Sequence, residues 1–159
     1  MTQCTNPLET FHGYVIRPST EEDLGEVRAF LRPFVENRQI LHRTRAELAV
    51  LLHTGFVVEC EGRIVGFSAV EIYSKKLAEI QCLAVAPEHR CRGLGHELVR
   101  RCVELARQRG VMEVMAISSS EKLLRDVGFD YSLPDQKRAL FCQLRSREEV
   151  YRQLEGEDD

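Results

Sequence analysis

No stretch of this 159-residue chain approaches the ~20 consecutive apolar residues that a membrane-spanning helix needs. The opening "MTQCTNPLETFHG" lacks a basic segment followed by an apolar run, so no secretory signal is read there. A cytoplasmic protein without a membrane partner is the expectation. The six cysteines, Cys4, Cys60, Cys82, Cys91, Cys102 and Cys142, contain no C-x-x-C pair. Without paired ligand spacing no metal is expected, and most read as small buried hydrophobes of a reducing compartment. Cys91 is set apart, because it lies in a glycine-rich turn where a thiol is open to reaction. An excess of positive charge is missing too: 22 Lys and Arg against 25 Asp and Glu leave a net charge of −3. That excludes a surface built as a whole for nucleic acid, and the arginines clustered near position 100 read as a solvated helix face. There is no internal repeat and no long linker, and the length favours one domain with a sizeable core.

What is present is an alternation of strand and helix patterns. "YVIRPS" (14–19) reads as a strand. A helix follows from Ser19 or Thr20 as cap, with Glu21, Glu22 and Asp23 suiting its first turn, and Pro33 should interrupt or end it. Thr44 and Glu47 have capping-box spacing ahead of a short helix at 44–52. "GFVVEC" (55–60), a tight "EG" turn and "RIVGFSAVEIY" (63–73) predict a hairpin. "LAEIQCLAVAP" (77–87) is the most strand-like run, closed by Pro87. From Leu94 to Arg109 the spacing of Leu94, Leu98, Cys102 and Leu105 predicts an amphipathic helix that Gly110 stops. A strand at 111–118, a short helix in "SEKLLRDVGF" and a strand pair from "DYSL" and "RALFCQL" complete the prediction. The divisions expected are an N-terminal extension (1–12), one α/β domain (13–146) and an acidic tail (147–159) whose end is frayed.

The segment "HRCRGLGHELVRRC" (89–102) places two glycines and two arginines between a strand and a helix. Glycine lets the backbone turn tightly, and a helix start offers unbonded N–H groups with a favourable dipole, so the turn suits an anion. Read alone, it is equally a tight connection with solvated arginines. It is not a Walker loop, and Gly93 and Gly95 do not extend to Gly-x-Gly-x-x-Gly. The pattern it does match is Arg/Gln-x-x-Gly-x-Gly/Ala, as Arg90-Cys91-Arg92-Gly93-Leu94-Gly95. With "LAEIQCLAVAP" before it and "LLRDVGF" after, the chain resembles the Gcn5-related N-acetyltransferase (GNAT) superfamily. The resemblance implies a central, mixed, mostly antiparallel sheet flanked by helices. It also implies a cleft where the fourth and fifth strands of that fold, here 77–87 and 111–118, splay apart. The backbone of Leu83, Ala84 and Val85 would then bind the pantetheine arm of acetyl-CoA. The N–H groups from Cys91 through Arg92, Gly93, Leu94 and Gly95 to His96, with Arg90, would hold its pyrophosphate.

Direct acetyl transfer needs a neutral amine, a route for its proton and protonation of the leaving thiolate. Glu79 alternates with Ile80 on a strand otherwise made for burial, and by the resemblance it stands where several family members carry their base. The other reading of Glu79 is a strand carboxylate paired with a lysine or arginine. The family's usual thiolate acid, a tyrosine four residues before the Gly-Phe, is Leu124 here. Ser118, Ser119 and Ser120 offer hydroxyls at the end of the preceding strand. Ser120 is the preferred replacement, although it also suits the N-cap of the following helix, and Tyr131 is a further candidate.

"LRPFVENRQILHRTRAELAVLL" (31–52) resembles the acceptor side of the acetyltransferase domain of N-acetylglutamate synthases, in Arg32-Pro33 and Arg43-Thr44-Arg45 at the same separation. Arg38 stands where that subgroup often has glycine. Arginine forks suit carboxylates, so Arg32 and Arg43 are the expected acceptor-binding residues, with Lys75, Lys76 and Arg138 as further cations. Glutamate is the favoured acceptor. Two other readings stand beside it. One is acetylation of a protein N-terminus, a lysine or another small amine, served by an acidic groove from Glu36, Glu47 and Glu71. The other is an acyl-CoA-binding sensor without turnover, in which mutating Glu79 would change nothing measurable. A final strand that pairs between subunits would be a route to a homodimer.

Overall fold

A computed structural model describes residues 10–131 and 140–155. Six strands form one sheet in sequence order: β1 (Thr10–Phe11), β2 (Tyr14–Pro18), β3 (Gly55–Cys60), β4 (Arg63–Ile72), β5 (Leu77–Val85) and β6 (Glu113–Met115). Neighbours are antiparallel except β5 and β6, which are parallel. This is the mixed, mostly antiparallel α/β architecture that the sequence pattern and resemblance imply. Its helices are α1 (Leu24–Glu36), α2 (Arg45–Leu51), α3 (Leu94–Gln108), α4 (Glu121–Asp126) and α5 (Arg147–Glu155). Among the described residues, no helix is long and apolar enough to cross a membrane.

Local chemistry sets the element boundaries. Glu61 and Gly62 both have positive φ, 51° and 76°, which gives the β3–β4 hairpin the two-residue turn that matches strand twist. The Thr44 hydroxyl accepts from the Glu47 N–H while the Glu47 carboxylate accepts from the Thr44 N–H, closing the capping box of α2. Helices cover both faces of the sheet. On one, Val27, Leu31 and Phe34 of α1 and Leu48 and Leu51 of α2 pack over Val57, Phe67, Ala69, Cys82 and Ala84. On the other, Val99, Cys102 and Ala106 of α3 and Leu124 of α4 pack over Val70, Ala78 and Ile80.

The structure departs from the sequence expectations in four places. Pro33 neither ends nor interrupts α1, which continues to Glu36. Proline removes one N–H near the last turn, and burial of Leu31 and Phe34 on either side holds that turn in place. The strand at 111–118 is shortened to Glu113–Met115, because its pairing with β5 stops there. Of the last strand pair, 132–139 lies outside the described residues, as does Arg138, and Leu140 to Gln143 are not in a strand. Residues 147–155 of the expected tail form α5. Ser146 starts it through a reciprocal bond with Glu149 (Ser146 Oγ accepting at 3.2 Å, Glu149 Oε2 accepting at 3.3 Å), a capping box that was legible as Ser-x-x-Glu.

Candidate active site

The site begins with an irregularity in β5. Phe67 pairs with Ala84 and Ala69 with Gln81, so Ser68 alone faces Cys82 and Leu83. Cys82 takes a left-handed φ of 57° to make this bulge. The extra residue changes which backbone groups face which edge. Ala86 N–H donates to Val65 O on the β4 side, so by strand alternation the backbone of Leu83 and Val85 faces the opposite edge. That edge is open: β6 pairs only with Leu77, Ala78 and Glu79. Beyond Glu79 and Met115 the two parallel strands no longer pair, as the expected cleft between them requires.

The glycine-rich turn closes one end of the cleft. Cys91 and Gly93 have positive φ, 61° and 79°, and Gly93 caps α3. The first N–H of α3 to be bonded back is that of Glu97, to Gly93 O, which leaves the N–H groups of Leu94, Gly95 and His96 at the helix start for an anion. Gly95 also lets α4 come close, since a Cβ there would lie 2.8 Å from Leu123 Cδ1. The two arginines behave differently. Arg90 Nε donates to Val85 O at 3.3 Å, across the end of β5. Arg92 turns towards β2 and donates to the Tyr14 hydroxyl at 2.7 Å, and that hydroxyl lies 2.8 Å from His89 Nδ1. His96 Nε2 lies 3.1 Å from Asp126 Oδ2. Cys91 is exposed, whereas burial pushes the thiols of Cys82 and Cys102 up to about 11 and about 12.

Among the described residues Glu79 pairs with no lysine or arginine. Its Oε2 accepts from the Tyr73 hydroxyl at 2.5 Å. Glu71 stands directly opposite Glu79 in the β4–β5 register, and its Oε2 is 3.3 Å from the same hydroxyl and accepts from Gln81 Nε2 at 3.1 Å. Gln81 in turn accepts from Arg43 Nη2 through Oε1. Tyr73 is half exposed, and local desolvation of its hydroxyl, then the carboxylates of Glu79 and Glu71, hold the phenol well above the ordinary phenol range. Sequence reasoning missed Tyr73 and Gln81. The usable signal was the period-two spacing of 71 with 73 and of 79 with 81, which puts all four on one face of a hairpin.

Arg43 also lines a cavity of about 200 Å³ between α1 and the approach to α2. Arg32, Arg28 and Glu36 line it as well, together with Leu31, Leu48 and Cys82. The two arginines chosen from sequence are therefore brought together. Arg43 Nε is buried there without a hydrogen-bond partner among the described residues. Lys75 and Lys76 are exposed in the β4–β5 turn at the opposite, paired end of β5. The three acids of the alternative groove are divided: Glu36 lines the cavity, Glu47 is committed to the capping box, and Glu71 belongs to the Tyr73 network.

At the thiolate side, Leu124 is buried against Ile80, Val99 and Ala106. Ser120 occupies the N-cap position of α4 without a side-chain capping bond, and its N–H is taken by Ser118 Oγ at 3.0 Å. Its hydroxyl is exposed. Tyr131 is drawn to the outside of α4, its hydroxyl donating to Glu121 at 3.2 Å and its ring lying under Arg125.

A bulged strand parting from a parallel neighbour, with a glycine-rich helix start at the open end, coincides with a family match. The model of the acetyltransferase (GNAT) family matches residues 21–129. The chain belongs to that family. Within the GNAT family it is similar to the amino-acid acetyltransferase of Pseudomonas putida strain KT2440, 32% identical over 138 residues, covering 83% of this chain and 32% of that protein. It is also similar to the amino-acid acetyltransferase of Aeromonas salmonicida, 29% identical over 138 residues, covering 82% and 31%. The chain thus spans about a third of the length of these curated relatives. Among solved structures, N-acetylglutamate synthase from Neisseria gonorrhoeae, complexed with coenzyme A and N-acetyl-glutamate, superposes with a TM-score of 0.68 at 26% identity, covering 91% of this chain and 33% of that one. Rv2747 from Mycobacterium tuberculosis, in complex with CoA, shares the fold with a TM-score of 0.67 at 20% identity, covering 91% and 83%.

Proposed function

We propose that the protein is an acetyl-CoA-dependent N-acetyltransferase whose acceptor is the α-amine of glutamate. The observation that carries this reading is that Arg32 and Arg43 line one cavity, while Arg43 also reaches the strand that carries Glu79. A dicarboxylate needs two cationic contacts, and a guanidinium with a buried, unbonded Nε has a donor to offer a carboxylate. The relatives named amino-acid acetyltransferase support the same acceptor class.

In this reading the open edge of β5 at Leu83 and Val85, on either side of Ala84, receives the pantetheine arm. The N–H groups from Cys91 through Arg92, Gly93, Leu94 and Gly95 to His96, with Arg90 beside them, receive the pyrophosphate. Glu79 accepts the proton of the acceptor ammonium, directly or through water, and frees the amine lone pair. The amine attacks the thioester carbonyl, a C–N bond forms and the C–S bond breaks. The nitrogen gives up its second proton as the C–S bond breaks: the Ser120 hydroxyl hands its hydrogen to the leaving thiolate and takes that nitrogen proton in return.

The test is release of free thiol from acetyl-CoA against glutamate, aspartate, lysine, polyamines and short peptides, with the product identified by mass spectrometry. Turnover with glutamate alone is the expected result. Turnover with another amine retains the acetyltransferase and discards the acceptor assignment. Binding of acetyl-CoA with no turnover on any amine overturns the enzyme in favour of a sensor.

A further inference from the structure

We propose that Tyr73 is the positioning residue of Glu79, and that Glu71 tunes the pair from the other side. The inference rests on the reading of Glu79 as the base. A strand carboxylate has rotamer freedom, and a base must present one oxygen along one direction to take a proton. Tyr73 removes that freedom. Its hydroxyl carries a single hydrogen and has two carboxylate oxygens in reach, Glu79 Oε2 at 2.5 Å and Glu71 Oε2 at 3.3 Å. The shorter contact takes the hydrogen, which pins Oε2 of Glu79 and leaves its other oxygen for the acceptor.

The rest of the network keeps this choice from reversing. Gln81 Nε2 donates to Glu71 at 3.1 Å, which satisfies Glu71 without the phenol. Arg43 holds the Gln81 carbonyl, so the amide cannot flip and present its oxygen to Glu71. The groups facing Glu79 are thus Glu71 and Tyr73 from the β4 side and Gln81 from β5, with Arg43 behind Gln81. Among the described residues no cation pairs with either carboxylate, so the phenol hydrogen is what separates two like charges placed directly opposite each other. Local desolvation of the hydroxyl and the same carboxylates keep the half-exposed Tyr73 protonated, so it acts as a fixed donor and not as a proton carrier.

In Tyr73→Phe the hydrogen that pins Glu79 Oε2 is gone, and kcat is expected to fall about tenfold with the KM for acetyl-CoA unchanged. A Tyr73→Phe enzyme with the wild-type kcat overturns the proposal. A second measurement needs no turnover. In protein labelled with 13Cζ-tyrosine, the Tyr73 resonance, assigned by its loss in Tyr73→Phe, should move towards that of a solvated tyrosine in Glu79→Gln and move less in Glu71→Gln. A resonance indifferent to Glu79→Gln, or more sensitive to Glu71→Gln, overturns the assignment even if no amine is acetylated. If the resonance responds as expected in a protein that acetylates nothing, the functional reading fails and the Tyr73 contact stands.

Discussion

Arg43 and Gln81, 38 positions apart in sequence, are joined by a hydrogen bond from the guanidinium Nη2 to the amide Oε1. The bond links the cavity under α1 to the hairpin face that carries Glu79. One arginine therefore serves two surfaces: Nη2 orients the amide, while Nε is buried and unbonded at the cavity wall.

Removal of that guanidinium should separate the acceptor from the donor. Arg43→Ala is expected to raise the KM for glutamate by about 10- to 100-fold, the loss of a charge-assisted carboxylate contact, with little change in the KM for acetyl-CoA. Steady-state kinetics with each substrate varied in turn checks this. An effect confined to acetyl-CoA would remove Arg43 from the acceptor site.

The donor side is tested at the α3 start. Gly93 has a φ of 79°, a conformation that costs a residue with a Cβ about 1–2 kcal/mol, while the nearest atom to an added Cβ is Phe11 Cζ at 3.5 Å. Gly93→Ala therefore meets backbone strain and not a clash. It should lower the unfolding free energy by about that amount and weaken CoA binding, measured by calorimetry, because relaxation turns the N–H groups of the loop. Unchanged CoA affinity would take the loop out of the pyrophosphate site.

A third prediction concerns stability and pH. The Asp23 carboxylate, buried at the start of α1, accepts two bonds from Arg17 at 2.8 and 2.7 Å, and Glu59 shares the same guanidinium. The Arg17 bonds hold Asp23 below the ordinary carboxylate range, against the opposing effect of burial. A depressed folded-state value means that the contribution is complete above the ordinary carboxylate range and is lost as pH falls through the folded value. Asp23→Asn should cost about 2 kcal/mol at neutral pH. The gap from the wild type should close as the medium is acidified, followed by urea unfolding at pH 7, 5 and 3. A gap independent of pH would mean that shape, and not charge, makes the contact.

Much of the fold was legible in the sequence because it rests on local rules. The capping box at Thr44 and Glu47, the "EG" turn, the 3.6-residue period of α3 and the Gly93-Leu94-Gly95 helix start each act within a few residues of chain. The resemblance to acetyltransferases was carried by the same local segment, and it led to Glu79, Arg32 and Arg43. Where packing decided the outcome, local rules misled. Proline ordinarily ends a helix, yet Leu31 and Phe34 bury the turn around Pro33 and keep it helical. Eight residues from 111 to 118 have strand composition, yet β6 is three residues long, because its path leaves the β5 edge after Met115, opposite Glu79.

The sequence by itself determined the alternation of elements, the anion-binding helix start and the residue types of the site, since caps, turns and periodicity depend on near neighbours. Only the tertiary structure decided which side chains meet. The bulge at Cys82 sets the phase of β5, the β4–β5 register brings Glu71 opposite Glu79, and the packing of α1 and α2 delivers Arg43 to Gln81. Those are contacts between residues far apart in the chain. Their geometry is set by the register of a sheet and the burial of two helices, and neither is a property of any short stretch of sequence.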